Sequence, residues 1–137
     1  MHKSIQEAMT PNPTTVEATT TAQDAAKIMK SEDVGSLPIV EGDKLIGVVT
    51  DRDFAIRIVA EGRGADTTVG EIASKDVVTV DPEQSIDEAA RLMAERQVRR
   101  LPVVEEDGRL VGILAQADIA QIGQDALTGD TVQRISQ

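Results

Sequence analysis

The stretch Gly47-Val48-Val49-Thr50-Asp51-Arg52-Asp53 returns about 65 residues later as Gly112-Ile113-Leu114-Ala115-Gln116-Ala117-Asp118. A recurrence at that spacing means that one supersecondary unit has been built twice. In both copies a short apolar run, Leu45 to Val49 and Leu110 to Leu114, reads as a buried strand and gives way to a helical pattern with an Asp near its start. An Asp there caps the helix or holds a ligand, and these residues leave both readings open. The copies share a frame and differ in chemistry, because the hydroxyl of Thr50 becomes the methyl of Ala115.

Working outward, the same period orders the rest of the chain. Ser4-Ile5-Gln6-Glu7 and Thr68-Val69-Gly70-Glu71 both have the spacing of a capping box that opens a short helical turn. Brief strands are expected at Thr14-Thr15-Val16 and Val77-Val78-Thr79-Val80. Thr21 and Ser85 then read as N-caps of amphipathic helices, with stripes Ala22, Ala25, Ala26, Met29 and Ile86, Ala89, Ala90, Met93 facing a core. Next come Leu37-Pro38-Ile39-Val40 and Leu101-Pro102-Val103-Val104, strands whose Pro cannot donate to a ladder and so implies an edge or an irregular start. Glycine-containing turns at 41–43 and 105–108 return the chain as hairpins, and helices start near Asp51 and Gln116. The link 62–66 separates the repeats. The division expected is 4–62, 68–123 and a tail 124–137, in which Val132 and Ile135 suggest a last amphipathic turn.

A chain of 137 residues is one domain's length and cannot bury two unrelated cores. Phe54 is the only aromatic residue, so the core is Val, Ile, Leu, Ala and Met, which suits a layered α/β structure. The absence of Cys excludes disulfides, thiolate metal sites and cysteine catalysis, and favours a cytoplasmic setting. No signal segment follows Met1, and no run approaches the roughly 20 apolar residues of a membrane span. A net charge of −10 and the lack of stacking aromatics argue against nucleic acid. His2 is the only histidine, and there is no Walker-type loop or paired-His metal spacing, so neither a catalytic residue nor a metal ligand is expected. Asp51 and Asp53 stand two apart at a helix start and point apart, which does not make a carboxylate dyad.

The doubled Leu-Pro-Ile/Val-Val strand, the doubled Gly-apolar-apolar-x-x-x-Asp turn and the matched Ala-Ala-x-x-Met helices resemble a tandem pair of cystathionine-β-synthase (CBS) domains, also called a Bateman module. The likeness runs from about Ser4 to Gly123 and is to the short free-standing bacterial type. It implies an α/β fold of two β-α-β-β-α repeats packed through their sheets with pseudo-two-fold symmetry. It also implies a regulatory cleft for an adenine nucleotide of the AMP, ADP or ATP class, no required cofactor, and a signal read by a separate partner protein. Carried over residue by residue, Asp53 holds ribose hydroxyls and Thr50 meets ribose or phosphate. Asp118 is the second-repeat counterpart beside Ala115, Thr15 and Thr79 line the cleft, and Arg99 or Arg100 meets phosphate. A homodimer through the helices is expected, with Phe54, Ile58 and Val59 as its apolar remainder. The competing reading is an interaction or structural dimer module with a vestigial, unliganded cleft.

Overall fold

Residues 3–123 are described by a computed structural model; the tail 124–137, with its expected last turn, and His2 lie outside them. In chain order the elements are α1 (Ile5–Ala8), β1 (Thr10–Pro11), α2 (Ala22–Glu32), β2 (Ser36–Glu41), β3 (Lys44–Thr50), α3 (Asp51–Asp53) running into a π-helical stretch Phe54–Val59, α4 (Val69–Ile72), α5 (Ile86–Arg96), β4 (Arg100–Val104), β5 (Leu110–Ala115) and α6 (116–123). The chain gathers into two compact units. One holds residues 14–78 with 107–110; of the described residues, the other holds 3–13, 79–106 and 111–123.

The short helices α1 and α4 therefore each join the unit built on the other repeat. Helix α1 packs on α5, while α4 packs on β3 and the π-helical stretch. The glycine of the repeated motif explains how. In the first unit Val48 and Ser74 exchange backbone hydrogen bonds at 3.0 Å, and a Cβ on Gly47 would lie 3.0 Å from the Ser74 carbonyl oxygen. In the second, β1 pairs antiparallel with β5, Thr10 opposite Ile113, and a Cβ on Gly112 would lie 2.9 Å from the Thr10 carbonyl oxygen. Glycine is needed at both posts because a second backbone crosses the strand there.

Strands β2 and β3 form an antiparallel hairpin with an irregularity between Ile39 and Val40; β1, β5 and β4 form a three-stranded sheet in that order. The strands expected at 14–16 and 77–80 shrink to single parallel bridges, Val16 with Ile39 and Val80 with Val103. Pro38 and Pro102 give the reason. Their carbonyls accept from the Val16 and Val80 amides at 3.0 and 3.1 Å and the Val40 and Val104 amides return the bond at 2.9 Å, but neither ring nitrogen can donate to the preceding rung, so the pairing does not extend toward Thr14 or Val78.

Thr21 and Ser85 cap α2 and α5 as their positions require, accepting from the Asp24 and Glu88 amides. Two sequence expectations change. Ser4 makes no side-chain cap, only its carbonyl accepting from Glu7. Ala26 faces solvent, so the buried stripe of α2 is Ala22, Ala25 and Met29. On α5 the matching core residues are Ile86, Ala89 and Met93. Leu37, Ile39 and Val49 fill the first unit's core, and Leu101, Val103 and Leu114 fill the second's. The apolar remainder after Asp53 is also redistributed: Ile58 is buried and Phe54 half-buried against the core, whereas Ile56 and Val59 are exposed.

Candidate functional site

The end of β3 and the start of α3 bring Thr50 and Asp53 together. Thr50 is extended and half-buried, and its Oγ1 accepts from the Asp53 amide at 3.2 Å while Asp53 Oδ2 accepts from the Thr50 amide at 2.8 Å. This is a complete capping box, so the capping role of Asp53 is real. It commits only one carboxylate oxygen. Oδ1 has no hydrogen bond among the described residues, and the Asp53 side chain is 13% exposed, so a hydroxyl donor can still reach it. The Thr50 hydroxyl likewise keeps its own proton to donate.

Sequence reasoning passed over Arg57. Its Nε lies 3.8 Å from Asp53 Oδ1, and its Nη1 donates to the Ile72 carbonyl at the end of α4 at 3.1 Å. The charge is close enough to offset that of the carboxylate and too far to occupy its lone pair. The signal was available as a cation four residues after an acid on one helix.

The second repeat reproduces half of this arrangement. Asp118 Oδ2 accepts from the Ala115 amide at 2.8 Å, and Ala115 has no hydroxyl to return the bond or to meet a ligand. Where Arg57 stands after Asp53, Ile122 stands after Asp118. Of the cleft-lining threonines, Thr15 is half-buried and Thr79 exposed, each one residue before its bridge.

Arg99 and Arg100 are both exposed. The Arg99 carbonyl accepts from the Gln116 amide at 2.8 Å, just as Gly35 accepts from Asp51 at 2.9 Å in the first repeat. Arg99 is among the residues lining a cavity of about 460 Å³ in its own unit, together with Met93, Ala94, Gln97, Val98, Gln116 and Ile119. Among the described residues no three His, Cys, Asp or Glu side chains gather as a metal ion requires, and no helix is long and apolar enough to cross a membrane.

Residues 4–60 and 69–125 each match the CBS domain family. The chain is 44% identical over 117 residues to the CBS domain-containing protein YhcV of Bacillus subtilis, covering 85% of this chain and 83% of that one. It is 46% identical over 99 residues to hypoxic response protein 1 of Mycobacterium tuberculosis, covering 71% and 68%. A crystal structure of Hypoxic Response Protein I, with two coordinated zinc ions, superposes with a TM-score of 0.80 at 41% identity, over 87% of this chain and 98% of that one. The crystal structure of CBSX2 in complex with AMP gives 0.80 at 28% identity, over 90% and 97%.

Proposed function

The chain belongs to the CBS domain family, and from that premise we propose that it is a regulatory module that binds an adenine nucleotide through Thr50 and Asp53 and signals to a separate protein. The observation that carries this reading is the half-committed carboxylate of Asp53. One oxygen is anchored to the backbone, which fixes its direction, and the other is held beside Arg57 with its lone pairs open. Such an oxygen accepts from a ribose hydroxyl as a charge-assisted bond. The AMP complex of CBSX2 supports the choice of ligand class. Arg99 or Arg100, both exposed, is the phosphate partner that the family resemblance offers. In cells the nucleotide shifts a population of conformations that a partner reads. The module itself acts as a homodimer and catalyses no reaction.

A thermal-shift panel of AMP, ADP, ATP, adenosine and S-adenosylmethionine tests the reading, since a ligand of the folded state raises stability by RT ln(1 + [L]/Kd). AMP should raise Tm, adenosine less so, and Arg99→Ala or Arg100→Ala should remove most of the difference. No shift with any of the five ligands at millimolar concentration sinks it. For the second repeat a vestigial site is the better reading, because Ala115, whose amide Asp118 accepts from, has no hydroxyl to offer a ligand.

A further inference from the structure

Around the end of α5 the second repeat keeps the apolar frame of the first and changes what surrounds it. Ala26, Met29 and Val34 return as Ala90, Met93 and Val98, which line the cavity of about 460 Å³ in the second unit. The other lining positions differ, and the differences run in one direction. Lys30 becomes Ala94, and Phe54, packed against the first unit's core, becomes the smaller Ile119, so both changes remove bulk. Asp33 and Asp51 become Gln97 and Gln116, and Gly35 becomes Arg99. In the first unit a side chain at position 35 would press on an acid, since a Cβ there would lie 3.0 Å from Asp51 Oδ2. The second repeat has exchanged that carboxylate for an amide, and its arginine stands where the glycine was.

The lining that results has two characters. Buried Met93 with half-buried Ala90, Val98 and Ile119 gives an apolar floor, while exposed Gln97, Arg99 and Gln116 supply a polar side. None of those three side chains has a hydrogen bond or ion pair among the described residues, and the volume lies in the range of about 300–1,000 Å³ that seats a small molecule. A guanidinium presents a planar fork that a carboxylate matches with both oxygens, and two carboxamides add further N–H donors. One cation balances one negative charge. The floor is aliphatic and thioether, with no aromatic ring for a base to stack on, because Phe54 is the only one in the chain. We propose that this cavity binds a small aliphatic monocarboxylate, its carboxylate held by Arg99 with Gln97 and Gln116 and its chain lying over Met93 and Ile119. The site goes beyond the nucleotide reading, whose Thr50 and Asp53 belong to the other unit, and needs of it only that Arg100 serve the phosphate.

The probe is hexanoate, with hexanol as its uncharged counterpart, titrated into the isotope-labelled full-length chain and followed by amide chemical shifts. Hexanoate should bind saturably with a Kd of about 1 mM, its shifts centred on 90–99 and 116–119, and hexanol about tenfold more weakly. Arg99→Gln should bring hexanoate down to the level of hexanol, because it removes the charge and keeps a polar side chain. Ala94→Leu, at an exposed helical position that tolerates it, should weaken both probes by filling the cavity. Shifts spread over the whole surface, no shifts at tens of millimolar, or a charge preference that survives Arg99→Gln overturns the site. So does displacement of hexanoate by AMP, which would give Arg99 to the phosphate and leave the nucleotide reading standing. If hexanoate binds as described while the nucleotide panel leaves Tm unchanged, the nucleotide reading falls and this site stands.

Discussion

Gly47 and Gly112 hold the same post in the two repeats; Thr50 and Ala115, three residues further on, do not. At the glycines a second backbone crosses the strand within about 3 Å of where a Cβ would sit, and that demand is identical in both units. At the next turn the backbone demand is again shared, an Asp oxygen accepting from the amide three residues before it, but the hydroxyl has been dropped from one copy and kept in the other. Matched positions thus separate what the fold requires from what a ligand would require. A residue that survives in both copies is explained by geometry. A residue kept in one copy is where specialisation is to be sought.

The comparison breaks first at the glycines if it is wrong. Gly47→Ala and Gly112→Ala should each destabilise the protein by about 1–3 kcal/mol in chemical denaturation, because a crossing backbone cannot yield as a side chain can. A loss at one position only would mean that the two crossings are not equivalent. Next in size is the effect on ligand. Asp53→Asn and Asp118→Asn both keep a side-chain oxygen for the cap, so calorimetry with AMP isolates the lost charge. Affinity should fall about tenfold, roughly 1.5 kcal/mol, for Asp53→Asn and hardly at all for Asp118→Asn.

Ile119→Phe restores to the second repeat the side chain that fills the first. It should stabilise the folded chain by about 1 kcal/mol as a cavity-filling change. Destabilisation would show that the cavity beside Ile119 is not shaped like its counterpart around Phe54. The smallest effect belongs to Glu71. The Thr68 amide, then the Thr68 hydroxyl and more weakly Arg63, hold its carboxyl below the ordinary value of 4.5. A folded-state value below the unfolded one adds stability above the unfolded value and loses it as pH falls through the folded value. Thermal melts from pH 6 down to pH 3 should therefore show Glu71→Gln losing slightly less stability on acidification than the natural chain.

The repeat, both helix caps at Thr21 and Ser85 and most of the core were legible in the sequence, because they follow from local spacing and from a period that two copies confirm. What was not legible depended on segments distant in the chain. The strands at 14–16 and 77–80 were read from their β-branched residues, whereas their length is set by Pro38 and Pro102 more than 20 residues away. Ile58 was read as surface remainder, whereas it stands one turn after the half-buried Phe54 on a stretch that packs against α4, and Ile56 and Val59 are left outside. At the candidate site Thr50 and Asp53 were legible as a motif. Arg57 could be read only as a cation four residues after Asp53; its anchor, a carbonyl of α4 15 residues on, could not.

The exchange of short helices fixes an order of assembly on the ribosome. Apart from the turn at 107–110, everything the first unit contains has been synthesised by residue 78. The second unit cannot close so early: α1, among the first residues made, must wait for α5, and β1 for β5, about 80 and 100 residues later. During that interval Ile5, fully buried in the finished protein, has no core to enter. A fragment cut at the boundary read from the repeats, 4–62, would keep that orphaned helix and lack α4. The fragment that carries its own helix is 14–78.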